Sequence, residues 1–287
     1  MAFTKTFKSF LINLGIMAGP SLKISDFAGF RKVLDSATKI AVLTGAGVSA
    51  ESGIGTFRGP AGMWRTHNAM DLATLKAFEA NPSLVWEFYE WRRSMAFNAR
   101  PNKAHLALVE FENKCIKENR VFTLMTQNVD GLHIRAGSKN VFEIHGSLRK
   151  VKCTKCKLVY ENTDVPICEA LRGRGDPEKA TTSDIPISDL PKCKNCSGLL
   201  RPDIVWFGEI LDDNVLSKCV KALEACELFL VVGTSAIVYP AAGFAPFVQD
   251  RGVPVAEFNT DPISAVNFVF RGPCGTTLPE ALGIDKE

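Results

Sequence analysis

The sequence predicts an α/β fold in which helices cover both faces of a parallel sheet. Short apolar runs rich in β-branched residues alternate with helical stretches, and we predict strands at 40–44, 121–126, 229–232 and 253–258. The 287 residues are 46% hydrophobic and 23% charged, which is sufficient for one large domain or two unequal ones. A Rossmann-like sheet assembled from separated segments is therefore expected.

A glycine-rich turn follows the first predicted strand, where Gly45-Ala46-Gly47-Val48-Ser49-Ala50-Glu51 succeeds an apolar run. Glycine lets the backbone approach a pyrophosphate closely, and N–H groups at the start of the next helix can hold the anion. An ordinary Gly-rich turn remains the alternative, because so short a motif is weakly specific. A dehydrogenase would carry an acidic residue about 20 positions later, but residues 57–65 are basic and aromatic. The pattern favours a nucleotide site without hydride transfer.

Polar side chains follow two further apolar runs. Gln127, Asn128 and Asp130 come directly after 121–126, and His145 ends the run that begins at Val141. The carboxyl ends of strands in an open α/β sheet face the ligand crevice, so the first three can bind a ribose and an amide. A histidine near its reference pKa is the natural general base at neutral pH, although a purely structural histidine is the alternative.

Two C-x2-C pairs, Cys153 with Cys156 and Cys193 with Cys196, have the ligand spacing of a zinc site. Four thiolates complete a tetrahedral shell and leave no open position, so the ion would be structural. The spacer between the pairs is long and contains several prolines and glycines, and a long loop adds little closure entropy. A redox dithiol or unligated thiols are the alternatives.

Taken together, these motifs resemble the sirtuins, which are NAD-dependent protein-lysine deacylases. The resemblance runs from about Asp26 to the C-terminus and also includes Thr56-Phe57-Arg58-Gly59, His145-Gly146, Val205-Trp206-Phe207-Gly208-Glu209, Gly233-Thr234-Ser235 and Phe258-Asn259-Thr260, in the family's order. One departure is Gly55, because the family usually has proline two residues before this phenylalanine. Glycine adds chain entropy of about 1 kcal/mol that ordering must overcome, so we expect a more mobile cofactor loop and weaker NAD affinity.

Tyr89 and Arg92 resemble the Tyr-x-x-Arg pair of the class III sirtuins, which remove succinyl, malonyl and glutaryl groups. An i, i+3 spacing puts both on one helical face, and a guanidinium can bind a carboxylate bidentately. Ala73 also matches this branch and would leave the acyl channel wide. The alternative is an amphipathic helix with a solvent-exposed arginine.

The resemblance implies that NAD is consumed as a cosubstrate and that nicotinamide and 2′-O-acyl-ADP-ribose are released. The implied catalytic residues are His145, which takes a ribose hydroxyl proton, and Asn128 and Asp130, which face the nicotinamide carboxamide. Phe57 and Arg58 would close over the cofactor, and Asn259 and the backbone near Cys274 would border its adenosine. The full set expected at the cofactor is Gly45, Ala46, Gly47, Ser49, Ala50, Glu51, Thr56, Phe57, Arg58, Trp64, Gln127, Asn128, Asp130, Gly233, Thr234, Ser235, Asn259, Thr260, Asp261 and Cys274.

The acyl-lysine substrate is expected to bind as an extended peptide between two segments of the chain. Adding a strand to exposed edges supplies main-chain affinity, so sequence preference around the lysine should be weak. The residues expected at the peptide and its acyl group are Ala73, Tyr89, Arg92, Val205, Trp206, Phe207, Gly208, Glu209 and Tyr239.

The predicted domain organisation divides the chain into three parts. Residues 26–59, 106–146 and 202–287 form the NAD-binding domain, and a small domain combines a helical insertion at 60–105 with a zinc module at 147–201. Residues 1–25 are amphipathic and basic and contain no acidic residue, which is typical of a mitochondrial presequence. An N-terminal helix that docks on the domain or stays disordered is the alternative.

Composition narrows the cellular context. A net charge of +3 without a basic block argues against nucleic-acid binding, and no apolar run approaches the ~20 residues of a membrane span. The cysteines left after zinc ligation lack framework spacing, which favours a reducing compartment. We expect a monomer in the mitochondrial matrix, with cytosolic and nuclear pools as further locations.

Three other functions remain open from the sequence. Weak deacetylation and NAD-dependent ADP-ribosyl transfer would use the same fold, and a non-catalytic NAD-binding scaffold would keep the fold without the base. Tyr89 and Arg92 argue against ADP-ribosyl transfer, and His145 argues against the scaffold.

Overall fold

The computed structural model describes residues 26–56, 62–179, 183–235, 237–262 and 265–284. The candidate presequence at 1–25 lies outside the described residues, as do Phe57 and Arg58.

The elements are labelled in chain order. The strands are β1 (Lys39–Thr44), β2 (Met63–Trp64), β3 (His67–Asn68), β4 (Val121–Thr126), β5 (Val141–Glu143), β6 (Gly146–Cys153), β7 (Val159–Glu161), β8 (Leu200–Ile204), β9 (Leu228–Val232), β10 (Val255–Asn259) and β11 (Phe268–Arg271). The α-helices are α1 (Phe27–Ser36), α2 (Ala69–Leu72), α3 (Leu75–Ala80), α4 (Pro82–Asn98), α5 (Lys103–Lys117), α6 (Leu132–Ala136), α7 (Asp213–Ala225), α8 (Phe244–Gln249) and α9 (Cys274–Leu282), and 3-10 turns cover Ala46–Ser52, Glu169–Leu171 and Ala241–Gly243.

A six-stranded sheet forms the larger part of the molecule. Its order is β11-β10-β9-β1-β4-β5, and every neighbouring pair is parallel. The predicted parallel α/β architecture is confirmed, with all four predicted strands present. β10 begins two residues later than predicted, at Val255, directly after Pro254, which has no N–H to give to a ladder. The edge strand β11 was not predicted, and β5 ends at Glu143, before His145.

Helices cover both faces of this sheet, as predicted. Alternate residues of β1 point to opposite faces, so Ile40 and Val42 join the core under α1, α5 and α9, while Ala41 and Leu43 join the core under α7 and α8. Strands buried on both faces must be apolar throughout, which explains the continuous hydrophobic runs seen in the sequence.

A third hydrophobic cluster joins α4 to the antiparallel sheet β7-β6-β8. Trp86 of α4 donates its indole N–H to the Leu200 carbonyl at 2.9 Å, and Arg93 donates to the Leu148 carbonyl at 2.5 Å. These contacts fix α4, the helix that carries Tyr89 and Arg92, against the cysteine-bearing strands. The two-domain division stays a prediction, and its boundary at residue 105 falls inside α5, whose Ala104 and Leu108 pack in the core of the large sheet.

Candidate active site

A large cavity of about 810 Å3 opens at the carboxyl ends of β1, β4, β9 and β10. Most residues predicted from the sequence line it. Of the residues expected at the cofactor these are Gly45, Ala46, Gly47, Ser49, Thr56, Gln127, Asn128, Asp130, Gly233, Thr234, Ser235, Asn259, Thr260 and Asp261. Of those expected at the substrate they are Ala73, Tyr89, Arg92, Val205, Trp206, Phe207, Gly208, Glu209 and Tyr239, and His145 lines the cavity as well.

Two loops that bear glycines meet backbone to backbone at the floor of the cavity. Gly45 N donates to the Val232 carbonyl at 3.0 Å, and Gly47 N donates to the Gly233 carbonyl at 2.8 Å. A Cβ on Gly45 would lie 2.6 Å from Thr234 Cβ, and one on Gly47 would lie 2.8 Å from the Gly233 oxygen. The glycines are therefore required for this loop contact, in addition to any approach to a phosphate.

Asn128, Ser49 and Asp130 form a buried chain of hydrogen bonds beside the loop. Asn128 Nδ2 donates to the Gly45 carbonyl at 3.0 Å and to Ser49 Oγ at 3.1 Å. Ser49 Oγ in turn donates to Asp130 Oδ2 at 2.8 Å, and Leu132 N donates to the other carboxylate oxygen at 2.9 Å. Burial raises the pKa of Asp130, although these two donors and nearby Arg92 oppose the shift. The chain holds the polar side chains in one orientation at the cavity wall.

A second polar chain crosses from β4 to β10. Gln127 Nε2 donates to Thr234 Oγ1 at 2.9 Å, and Asn259 Nδ2 donates to the Thr234 carbonyl at 2.9 Å. Side chains from three strand ends are thus tied to one another, as expected where parallel strands end at one edge.

His145 also lines the cavity. Its Nδ1 lies 3.0 Å from the Gln127 carbonyl, and a carbonyl can only accept, so Nδ1 carries the proton and Nε2 keeps its lone pair. Burial lowers the pKa of His145, and the hydrogen bond to Gln127 partly opposes this shift. The neutral imidazole is therefore favoured near pH 7, which is the state that a general base needs.

Tyr89 and Arg92 lie on one face of α4 and line the cavity together. Both are buried, with Arg92 only 7% exposed, which excludes the surface-arginine alternative. Burial lowers the pKa of Arg92, opposed by Tyr89 and Asp130, and burial raises the pKa of Tyr89 to about 12. Ala73 also lines the cavity, and its carbonyl accepts from Phe207 N at 3.0 Å, which joins the end of α2 to the segment after β8.

Four residues expected at the cofactor do not line the cavity. Ala50 is exposed, and the Glu51 carboxylate accepts from Gly275 N at 2.6 Å, at the start of α9. Trp64 is fully buried and donates its indole N–H to the Gly175 carbonyl at 3.1 Å. Cys274 is buried in the first turn of α9. Ala50 and Glu51 directly follow the glycine loop in the sequence, yet neither of them lines the cavity.

The cavity also has lining residues that the sequence did not single out, among them Ile54, Met70, Val129, Ile204, Ile210, Leu211, Asp213, Leu216 and Pro240. Most are apolar and look like ordinary core residues in the sequence. The only sequence signal that could have identified them is a position within or next to a recognised motif, as for Val129 within Gln127–Asp130.

The four predicted metal ligands meet at the end of β6. Their Sγ atoms all lie within 4.8 Å of one another, with Cys153 and Cys196 3.5 Å apart and Cys156 and Cys193 3.7 Å apart. Sulfurs about 2.3 Å from a common zinc lie about 3.8 Å apart, so the cluster fits a structural Zn2+. Backbone N–H groups of Cys156 and Asn195 donate to the Cys153 and Cys193 sulfurs at 3.4 Å, as suits thiolates. Among the described residues no other cluster of this kind occurs.

Comparison with known proteins identifies the family. A model of the Sir2 family matches residues 45–240, more than half of the chain.

The chain belongs to the Sir2 family.

Its relatives span almost the whole chain. The NAD-dependent protein deacylase of Daphnia pulex is 55% identical over 267 residues, which cover 91% of this chain and 97% of the relative. The NAD-dependent protein deacylase sirtuin-5, mitochondrial, of Xenopus tropicalis is 54% identical over 272 residues and covers 93% of this chain and 87% of its own.

Solved structures agree with this assignment. A Sir2 homolog in complex with NAD superposes with a TM-score of 0.79 at 39% identity, over 92% of this chain and 96% of that one. A Sir2 protein with a p53 peptide and NAD+ superposes with a TM-score of 0.73 at 28% identity, over 91% and 100%. This Sir2 protein therefore shares the fold around which relatives bind NAD. No helix among its described residues has the length and apolar character needed to cross a bilayer.

Proposed function

We propose that the chain is an NAD-dependent protein-lysine deacylase that removes succinyl, malonyl and glutaryl groups. The observation that carries the proposal is that one cavity holds both a neutral histidine and a buried arginine beside a tyrosine hydroxyl: His145, Arg92 and Tyr89. The first suits the base of a Sir2 reaction, and the other two suit a carboxylate on the acyl chain.

The acidic acyl preference is supported by the cost of burying Arg92. A guanidinium removed from water loses hydration, and here burial lowers the pKa of Arg92. A carboxylate tail replaces that hydration with two charge-assisted hydrogen bonds, whereas an acetyl methyl offers none. Tyr89 keeps its proton, since its pKa is raised to about 12, and so can donate a third hydrogen bond.

The chain's own residues would divide the chemistry as follows. The buried Asn128–Ser49–Asp130 chain would hold the nicotinamide side of the crevice rigid, because its members are hydrogen-bonded to one another and to the Gly45 carbonyl. His145 Nε2 would accept the proton of a ribose hydroxyl while Nδ1 stays bonded to Gln127. NAD would supply the electrophilic ribose carbon and carry away the acyl group. The zinc held by the four cysteines would stabilise the small module without touching the reacting atoms.

The peptide is proposed to lie between residues 205–209 and 237–239. Phe207, Ile237 and Tyr239 are large side chains left partly exposed at the rim, as expected of a surface that a substrate covers. The main-chain N–H groups of Val205 and Phe207 already donate to the carbonyls of His145 and Ala73, which ties this segment to two other parts of the cavity wall. We further propose a mitochondrial location with cytosolic and nuclear pools, and a monomeric enzyme; the names of close relatives support the first.

The test compares succinyl-lysine and acetyl-lysine peptides of identical sequence, with NAD, by nicotinamide release and peptide mass. The wild type should favour the succinyl peptide in kcat/KM. Arg92→Met removes a bidentate charged contact, so succinyl kcat/KM should fall roughly 10- to 100-fold while acetyl turnover falls far less. Arg92→Lys keeps the charge without the fork and should lie between the two.

Arg172→Met provides the matched control, because Arg172 forms an exposed ion pair with Glu169 outside the cavity. It should match the wild type with both peptides. A wild type that prefers acetyl-lysine, or an Arg92→Met variant with an unchanged preference, contradicts the acidic-acyl proposal. Transfer of ADP-ribose to the peptide instead of acyl removal would show in the peptide mass and contradict deacylation itself.

A further inference from the structure

Several side chains pack against Trp206, although this residue lies in a loop between β8 and α7. Its side chain is 2% exposed. The Arg201 guanidinium lies over the indole at 3.6 Å from the ring centroid, and Phe78 and Tyr89 pack against it with ring centroids 5.2 and 6.1 Å away. Such positioning exceeds what a loop residue needs merely to fill space.

Arg201 and Glu209 form the frame for this indole. Arg201 Nη1 donates to Glu209 Oε1 at 2.6 Å and Nη2 donates to Oε2 at 2.7 Å, a bidentate pair. Arg201 Nη2 also donates to the Ile204 carbonyl at 2.8 Å, and Trp206 N donates to Glu209 Oε2 at 2.8 Å. The ion pair thus fixes both the backbone and one face of Trp206.

Glu209 stays charged in this arrangement. Burial disfavours its charge, but the hydrogen bonds from Arg201 and from the Trp206 backbone hold the pKa of Glu209 below its ordinary value. The bidentate pair therefore persists throughout the neutral pH range.

The remaining edge of the indole contacts Tyr89. Trp206 Nε1 lies 2.8 Å from the Tyr89 hydroxyl oxygen. An indole N–H can only donate, so the tyrosine oxygen is the acceptor and its own hydrogen is left to point elsewhere. The cavity that Tyr89 lines also holds Arg92, so this hydrogen is available to a carboxylate there.

We propose that Arg201 and Glu209 are positioning residues for acyl selectivity: they hold Trp206 so that its N–H orients the Tyr89 hydroxyl toward an acyl-chain carboxylate. This inference rests on the proposed function and extends it to the ion pair behind Trp206, whose arginine does not line the cavity. Preorganised donors bind a carboxylate better than mobile ones, because less freedom is lost on binding. An acetyl group has no carboxylate to receive the hydroxyl, so its turnover depends less on the orientation.

The test measures kcat and KM for matched succinyl-lysine and acetyl-lysine peptides with Arg201→Met and Arg201→Lys. Arg201→Met retains a long apolar side chain but loses the ion pair and the cation over the indole. The succinyl KM should rise about tenfold, roughly the value of one well-placed hydrogen bond, with a smaller change in kcat. The succinyl-to-acetyl ratio of kcat/KM should fall by the same factor. Arg201→Lys keeps a cation over the ring and should restore part of the ratio.

A double-mutant cycle with Tyr89→Phe separates positioning from general support. If Arg201 acts through the tyrosine hydroxyl, Arg201→Met should alter the ratio in the Tyr89 background and change it little in the Tyr89→Phe background. The melting temperature of each variant, and the Arg172→Met control, show whether lost fold explains a loss of turnover.

Four outcomes overturn the inference. Equal losses with succinyl and acetyl peptides would make the ion pair a structural support only. Losses that multiply in the double mutant would show that Arg201 does not act through Tyr89. A wild type without succinyl preference would overturn the proposed function and this inference with it, whereas a preserved preference in Arg201→Met would overturn the inference alone.

Discussion

At the scale of single residues, the most consequential group is the His145 imidazole. Its lowered pKa means that the neutral base persists below the ordinary histidine range, and it is lost only as the pH falls through that lowered value. We therefore predict that the acid limb of kcat/KM has its midpoint below about 6.5, the reference histidine pKa. The measurement is a pH profile of nicotinamide release at low substrate concentration.

The acetyl-lysine peptide serves as the control for this profile, because it has no carboxyl group that titrates in acid. Both peptides should give the same acid limb if His145 is responsible. A midpoint above about 6.5, or a limb found only with the succinyl peptide, would contradict the prediction.

Residue types could be predicted from the sequence more readily than their contacts. Gln127, Asn128 and Asp130 follow an apolar run, so the sequence alone predicts that they lie at the end of a strand. That Asn128 and Asp130 share Ser49, 79 and 81 positions away, depends on how two distant loops meet. Trp64 follows a cofactor motif in the chain, yet its indole is buried against Phe88 and Gly175, a contact that the motif does not predict.

At the scale of elements, the loops after β1 and β9 lie so close together that there is no room for a side chain at Gly233. Gly233 has φ +58, and a Cβ there would lie 2.3 Å from Val48 N, a backbone atom that cannot turn away. Gly233→Ala should lower the free energy of unfolding by about 2 kcal/mol or more, combining positive-φ strain with this overlap. NAD affinity should fall as well, since both loops line the cavity.

Gly252→Ala is the matched control for this prediction. Gly252 also has a positive φ, +73, but nothing lies within 4 Å of a Cβ built there. Gly252→Ala should therefore lower the free energy of unfolding by only about 1 kcal/mol, the cost of a positive φ, and should leave NAD affinity unchanged. Denaturant unfolding and NAD titration provide both readouts, and equal losses in the two variants would refute the steric argument.

Central elements were predictable because burial on both faces leaves a continuous apolar run, as in β1, β4 and β9. Edge elements carry a weaker pattern: β11 pairs with one neighbour and has only four residues, one of them the exposed Arg271. The 3-10 conformation of Ala46–Ser52 also could not be predicted from the sequence, because glycines indicate a turn but not its hydrogen-bonding pattern.

At the scale of the whole molecule, the zinc module and the acyl pocket share one hydrophobic cluster. Cys153 and Cys193 pack in it together with Trp86, Tyr89 and Trp206. Loss of the metal therefore should loosen more than the cysteine loops, because close-packed cores transmit displacement. Long-range consequences of this kind could not be read from the C-x2-C spacing, which identifies ligands but not what packs behind them.

The last prediction follows from this shared cluster. Cys156→Ser should lose the one zinc per chain that wild type contains, measured by elemental analysis of purified protein. A loss of about 3 kcal/mol would lower Tm by roughly 5 °C, because unfolding entropy grows with chain length. The succinyl-to-acetyl ratio of kcat/KM should also fall, since Tyr89 and Trp206 lose support.

Cys168→Ser is the control: Cys168 lies in the same module, half-buried and outside the four-cysteine cluster, so zinc and selectivity should be retained. Zinc loss with unchanged selectivity would mean that the cluster does not couple the two sites.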